Sequence, residues 1–400
     1  MFVLKLDVFQ SLLVTVLLIY FGKFMREKFP ILKKYCIPSA VVGGLLFAIL
    51  TCVLYKFNVM EIKFDTKVTN QLFYCVFFAA SGTSAGLALL KKGGKLVAIF
   101  AVLAAVLAAL QNVVAVALGK VLGVNPLIAL MTGSIPMTGG HGNAASFAPV
   151  AESFGAVGAT EVAIAAATFG LIAGCIIGGP IGNRLVQKNH LKYDTGDSSD
   201  LGTAAAEKFF VDKERSLNAV CLMFIATGIG SVLFVILKNL LPNITLPIHV
   251  LCMLGGLIIR LGFDATGHAD EALYESMDIV GEISLAMFVT MSIMSMKLWQ
   301  LADLAIPMII LLLAQVVLAY VFCTQITFRA LGKDYDAAVM AVGHTGFGMG
   351  AVPVSMATMK SVCDKYAYSK IAFFVVPVIG GLLSNFTNAA IITAFLNMFK

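Results

Sequence analysis

Charge is what this sequence has least of. Only 12% of its 400 residues are Asp, Glu, Lys or Arg, where ordinary soluble domains carry roughly 25%. With 60% hydrophobic residues and a mean hydropathy of +0.94, the chain cannot hide its apolar surface as a water-soluble globule. It has no Gly-x-x-x-x-Gly-Lys-Ser/Thr loop, so nothing points to ATP as an energy source. It has no Cys-x-x-Cys pair either. Most of its eight cysteines, Cys52, Cys75, Cys175, Cys221, Cys252 and Cys323 among them, sit in apolar runs. They read as small core side chains, not as disulfides or a metal site. No nucleophile–base pair stands out, so the chain does not read as an enzyme, and no organic cofactor is expected. The net charge of +6 lies in loops beside hydrophobic runs and does not point to nucleic acid. Finally, no Asp or Glu falls near the middle of any span marked below, whereas proton-coupled carriers usually need such a group.

What is present is a pair of interrupted apolar stretches. Residues 131–150 are apolar enough to enter a membrane, yet Gly133, Pro136, Gly139, Gly140 and Gly142 forbid one continuous helix. A helix that stops and restarts leaves N–H and C=O groups unpaired. In lipid these are tolerated only where protein or a wet cavity satisfies them. Residues 337–357 carry the same kind of interruption. At an offset of 210, Gly133 meets Gly343, Gly140 meets Gly350 and Gly170 meets Gly380. At 209, Pro38 meets Pro247 and Val41 meets Val250. A shared offset over such a distance marks an internal repeat. Two broken segments at matching places in two halves point to a secondary transporter's binding site.

The expected fold is an all-α polytopic membrane protein of two inverted repeats. Each repeat has five transmembrane helices and one re-entrant hairpin. Residues 1–186 form the first repeat, with spans at 4–22, 38–55, 70–90, 96–119 and 160–183 and a hairpin at 127–149. Residues 216–400 form the second, with spans at 216–238, 246–262, 279–297, 304–328 and 369–397 and a hairpin at 337–357. The polar stretch 187–215 reads as a cytoplasmic linker. An odd number of crossings per half inverts the second half. The first apolar run is followed by Lys23, Arg26, Lys28, Lys33 and Lys34, the reverse of a signal peptide. Most of the Lys and Arg fall inside if both termini lie outside.

A broken helix offers two kinds of site. Its N-terminal end presents N–H groups and a positive dipole, which suit a carboxylate. Its unwound carbonyls, with Ser and Thr hydroxyls, suit a small hard cation. The candidates are Thr138, Gly139, Gly140, Gly142 and Asn143 in the first tip and Thr345, Gly346, Gly348 and Gly350 in the second. Close helix packing is the competing explanation for the glycines. His141 and His344 are either struts that hold the loops or ligand contacts. Ser384, Asn385, Thr387 and Asn388 break the last span and either bridge helices or complete a site. Thr168 raises the same question. Glu161, Asp336 and Glu282 fall at segment ends, where helix capping is the plain reading. Without a titrating carboxylate, hydroxyls, amides and carbonyls favour sodium over protons.

At these residues the chain strongly resembles the bacterial sodium/glutamate symporter family. The resemblance is carried by Thr138-Gly-Gly-His-Gly-Asn-Ala-Ala, Thr160-Glu-Val-Ala, Thr168-Phe-Gly, Lys333-Asp-Tyr-Asp-Ala-Ala-Val and Gly343-His-Thr-Gly-Phe-Gly-Met-Gly-Ala-Val-Pro. It extends to Lys34-Tyr-Cys-Ile-Pro and Met296-Lys-Leu-Trp299, and so covers nearly the whole chain. It implies a secondary active transporter importing L-glutamate with Na⁺ across the bacterial inner membrane. It also implies a homodimer in membrane lipid and an elevator-type movement. Substrate contacts are expected at Thr138, Gly139, Gly140, His141, Gly142, Asn143, Thr345, Gly346 and Asn388. Sodium is expected at Thr138, Gly348, Gly350, Asn385 and Asn388. The rivals are a carrier of another dicarboxylate or amino acid with the same machinery, and a channel or sensor.

Overall fold

A computed structural model of the chain describes residues 2–34, 37–83, 87–192, 212–240, 247–268, 270–299 and 305–400. Most of the expected linker, residues 193–211, lies outside the described residues. The first half holds α1 (Val8–Lys28), α2 (Pro30–Lys34), α3 (Ser39–Lys56), α4 (Lys67–Thr83) and α5 (Leu87–Val121). The short helices α6 (Pro126–Leu130) and α7 (Ser134–Met137) follow, then α8 (Gly140–Ser153) and α9 (Ala159–Lys188). The second half holds α10 (Lys213–Leu240), α11 (Ile248–Thr266), α12 (Glu271–Met294), α13 (Ala305–Val321), α14 (Phe328–Ala330), α15 (Tyr335–Met349), α16 (Val352–Cys363), α17 (Lys370–Pro377) and α18 (Ser384–Phe399). Single π-helical segments, Phe322–Thr327 and Val378–Leu383, join α13 to α14 and α17 to α18.

Among the described residues, nine helices are long and apolar enough to cross a membrane. They match nine of the ten expected spans. The tenth corresponds to α4, whose 17 described residues end beside residues 84–86, outside the description. With the two strands and the short α2 and α14 set aside, the succession of elements is the same in both halves: three helices, a fourth long one, a broken helical segment, and a last long helix. Helix starts are set by ordinary capping. Asp7 Oδ1 accepts from Gln10 N at 2.8 Å while Gln10 Oε1 accepts from Asp7 N at 3.1 Å. Asp334 Oδ1 accepts from Ala337 N at 2.8 Å at the start of α15.

Two features differ from the sequence expectation. Residues 4–6 are not helical. They belong to β1 (Phe2–Leu6), which pairs in parallel with β2 (Met60–Phe64), Phe2 opposite Met60 and Leu6 opposite Phe64. The apolar positions Met60, Ile62 and Phe64 alternate with Glu61 and Lys63, the two-residue period of a strand. Second, α12 begins at Glu271 rather than near 279. Glu282 is therefore mid-helix and not at a segment end, and Asp278 lies within the same helix. Glu271, Glu275, Asp278 and Glu282 recur at helical spacing on the exposed side of α12. A hydropathy reading puts the first three of these in a loop and starts the span near 279.

The helices sort into two packed groups. In one, α4 lies against α11 and α12, α3 against α12 and α1, and α10 against α11. In the other, α9 packs against α8, α15 and α16, and α5 against α13 and α18. Small residues set the crossings of the first group. A Cβ at Gly43 would stand 1.9 Å from the Leu18 carbonyl oxygen, and one at Gly82 would stand 2.0 Å from that of Met253. Such contacts let helix backbones approach where apolar burial gives no driving force between helices. Gly43→Val and Gly82→Val are expected to lower stability by about 1–3 kcal/mol each, read as thermal unfolding of the purified protein in lipid nanodiscs. Gly228→Ala, with nothing within 4 Å of its Cβ, serves as the neutral control.

Candidate functional site

The first break is built from three elements. Asn125 caps α6, its Oδ1 accepting from Leu127 N at 2.8 Å, and Pro126 occupies the first helical position. The chain then turns at Thr132 and Gly133, runs one turn as α7, and breaks again at Thr138 and Gly139. α8 restarts at Gly140, whose φ is +59°, a conformation that costs any other L-residue about 1–2 kcal/mol. The second break is simpler. α15 ends at Met349, the chain turns at Gly350, Ala351 is extended, and α16 restarts with Pro353 in its first turn.

The two breaks meet. A Cβ at Gly140 would stand 2.9 Å from the Gly350 carbonyl oxygen. Beside them, Gln111 of α5 bridges the two tips. Its Nε2 donates to the Gly348 carbonyl at 2.6 Å, and its Oε1 accepts from Thr138 Oγ1 at 2.7 Å. The neighbouring Asn112 accepts at Oδ1 from Ser134 N at 2.8 Å, satisfying the start of α7. Asn388 of α18 donates from Nδ2 to the Ser134 carbonyl at 3.0 Å. Gln315 of α13 donates from Nε2 to the Gln111 carbonyl at 2.9 Å. Gln111, Asn112, Gln315 and Asn388 are all buried.

The expected site residues divide. Thr138, Gly140, Gly348, Gly350 and Asn388 come together at the meeting of the tips. His141 Nε2 lies 3.0 Å from Thr168 Oγ1, whose hydroxyl donates to the Ile164 carbonyl. That leaves the Thr168 oxygen to accept from His141, so this histidine ties α8 to α9. His344 Nδ1 similarly meets Thr327 Oγ1 at 2.9 Å, inside a ring of Phe100, Phe322 and Phe347. Asn143 folds over Gly139, where an added Cβ would fall 2.0 Å from its Nδ2. Gly142 faces the other helix group, towards Phe77 of α4 and Leu285 of α12. Thr345 turns away, its hydroxyl donating to the Ala341 carbonyl at 3.0 Å. Gly346 packs on Ser355, and Asn385 donates to the Gly381 carbonyl at 2.7 Å. Glu161 and Asp336 are tied outside the tips, accepting from Lys297 N at 2.8 Å and from Ser369 Oγ at 2.6 Å. Among the described residues no group of three His, Cys, Asp or Glu could hold a metal ion.

Four buried polar atoms at the tips have no hydrogen-bond partner: Ser134 Oγ, Asn388 Oδ1, Asn112 Nδ2 and Asn143 Nδ2. Two are oxygens suited to a cation and two are amide donors suited to an anion. Sequence reasoning passed over Gln111, Asn112, Ser134 and Gln315. The signal was there: adjacent amides in a run of Ala, Val and Leu obey the same rule that singled out Asn385 and Asn388.

These features define a multi-pass membrane protein whose polar centre joins two interrupted helices. The chain matches the family model described as Sodium/glutamate symporter over residues 4–368. It is 34% identical over 395 residues to the sodium/glutamate symporter of Escherichia coli (strain K12), and equally to that of Shigella flexneri, covering 98% of both chains in each case. It is 36% identical over 390 residues to the sodium/glutamate symporter of Haemophilus influenzae, covering 96% of both. The chain belongs to the sodium/glutamate symporter family, a family of transporters and not of enzymes.

Asn112→Leu leaves Ser134 N buried without its acceptor and is expected to lower stability by about 1–3 kcal/mol. Gly133→Ala should act in the same direction, since its Cβ would fall 2.4 Å from Asn112 Oδ1. Thermal unfolding in nanodiscs reads both, and unchanged melting of both variants would detach Asn112 from the start of α7.

Proposed function

We propose that this chain is a sodium-coupled L-glutamate importer of the bacterial inner membrane. The observation that carries the reading is the meeting of two broken helices around buried polar atoms of both signs, in a chain of this family. Glutamate presents two carboxylates and an ammonium group. The start of α8, with Asn143 Nδ2 free beside Gly139, offers donors and a positive dipole end for a carboxylate. Thr138, Gly139, Gly140, His141, Gly142, Asn143, Thr345, Gly346 and Asn388 make up the substrate side in this reading, with His141 acting through its tie to α9 and Thr345 through its own turn of α15. The acceptors Thr138 Oγ1 and Asn388 Oδ1, with the carbonyls of Gly348 and Gly350, suit Na⁺. Asn385 supports the π segment beneath them. No Asp or Glu belongs to either tip. Asp278 and Glu282 lie on α12, in the other helix group, and supply no proton-carrying group to the tips.

We further propose that the two halves are inverted repeats, that the broken helices are re-entrant hairpins entering from opposite sides, and that both termini lie outside. The repeated order of elements supports this, as do the matched close crossings of α1 with α3 at Gly43 and of α10 with α11 at Gly255, where a Cβ would meet the Ala226 carbonyl at 2.2 Å. The sorting of helices into two groups supports an elevator-type movement, in which the group carrying the tips slides against the group of α1, α3, α4, α10, α11 and α12. A homodimer held by the second group fits this division.

Two tests follow. In a background without native cysteine, Val157→Cys should react with impermeant thiol reagents from outside and Asp364→Cys from inside, and labelling of both from one side would contradict the inversion. In proteoliposomes a sodium gradient alone should drive glutamate accumulation and a proton gradient alone should not. Import with two or more Na⁺ would carry positive charge inward, whereas one would be electrically silent. Asn388→Ala should raise the half-maximal sodium concentration severalfold with little change in pH dependence. Accumulation driven by protons in sodium-free buffer would contradict the reading.

A further inference from the structure

Gln111 belongs to neither broken helix pair, yet it is the side chain on which both converge. It is fully buried on α5, between Ala, Val and Leu. A buried amide in an apolar helix is ordinarily a helix–helix tie. Three observations take Gln111 beyond that. It contacts two segments of different halves at once, Thr138 of the first and Gly348 of the second. Both contacts are helix-end groups: Thr138 closes α7, and Gly348 is one of the last residues of α15, whose carbonyls have no partner within the helix. And its own backbone carbonyl is held by Gln315, which fixes the turn of α5 from which the side chain extends.

We propose that Gln111 is a positioning residue that couples the two tips, holding the Thr138 hydroxyl and the Gly348 carbonyl at one fixed separation. The inference rests on the functional reading above, which puts sodium and glutamate on these tips. A rigid link between two binding segments means that ordering one tip around its ligand partly orders the other. The two binding free energies then share a coupling term, and that term is reciprocal. Gln111 fits this role because one amide supplies a donor and an acceptor in a fixed geometry, and because it stays neutral and so does not titrate with pH. Removing the amide severs the link and leaves the tips themselves unaltered in sequence.

The test compares half-saturating glutamate at low and at saturating sodium in proteoliposomes. Wild type should show a shift of about tenfold, within the usual range for coupled sites. Gln111→Met, of similar length but without donor or acceptor, should reduce the shift to less than about twofold, with pH dependence unchanged. Gln111→Asn keeps the amide but is one methylene too short to reach both tips, and should lose the shift as well. Gln315→Met, which loosens the turn of α5 that carries Gln111 but leaves its amide in place, should reduce the shift by less than Gln111→Met does. All variants are first shown to be folded by their monodisperse elution. Should Gln111→Met fail to fold, Gln111→Asn decides the question. A wild-type shift in both Gln111 variants, or a loss in Gln315→Met as large as in Gln111→Met, overturns the inference while sodium-driven uptake by wild type keeps the functional reading intact. Absence of sodium-driven uptake by wild type overturns that reading and the inference with it.

Discussion

A helix that breaks in apolar surroundings must have its end groups met by other parts of the protein, and the rest of this molecule is arranged around that constraint. Both breaks use glycine to turn the backbone, and neither has water-exposed loops to take up the freed N–H and C=O groups. The partners come from helices around them. Asn112 takes the N–H of Ser134, Asn388 gives to its carbonyl, and Gln111 gives to Gly348. Ser355 gives its hydroxyl to the Gly343 carbonyl at 2.7 Å inside the second pair. An unpaired buried amide costs about 1–3 kcal/mol, so each of these side chains is held in place by the break it serves. The polar residues of α5, α13 and α18 are the complement of the glycines in the tips.

The same constraint explains the division of the helices. In the proposed elevator movement, those that support the tips would travel with them, because breaking their hydrogen bonds would expose the helix ends. The group of α5, α9, α13, α17 and α18 is tied to the tips by such bonds and by close glycine contacts, as at Gly170, where a Cβ would stand 2.1 Å from the Met349 carbonyl. The other group is joined internally by small-residue crossings and by bonds of its own, such as Thr290 Oγ1 to the Ala40 carbonyl at 3.4 Å. Gly142 of the first tip faces Phe77 and Leu285 across the boundary. The first tip therefore stands where the two groups meet, as the proposed sliding movement requires.

Much of this was legible in the residues. Interrupted apolar runs stand out because Gly and Pro within them are incompatible with a continuous helix, and the offset shared by Gly133, Gly140 and Gly170 with Gly343, Gly350 and Gly380 located the second break from the first. Asn388 was legible as an amide with nowhere polar to go. What escaped was pairing. Gln111 and Asn112 carry the same signal as Asn388, but nothing in a linear pattern says that α5 passes both tips. Thr345 and Asn385 read as ligands, and each also bonds within its own segment, because hydroxyls and amides reach back to the carbonyl four residues earlier whenever the helix lets them. Glu271, Glu275 and Asp278 fall between the expected spans because hydropathy averages over a face that the helix keeps apart.

The central claim is that two broken helices form a single site. Hydrogen–deuterium exchange of the protein in nanodiscs tests it most directly. With sodium and glutamate together, amides of residues 133–143 and 345–352 should gain protection in concert, with smaller gains from either ligand alone. Protection confined to one of the two segments, or found only outside both, would contradict the account.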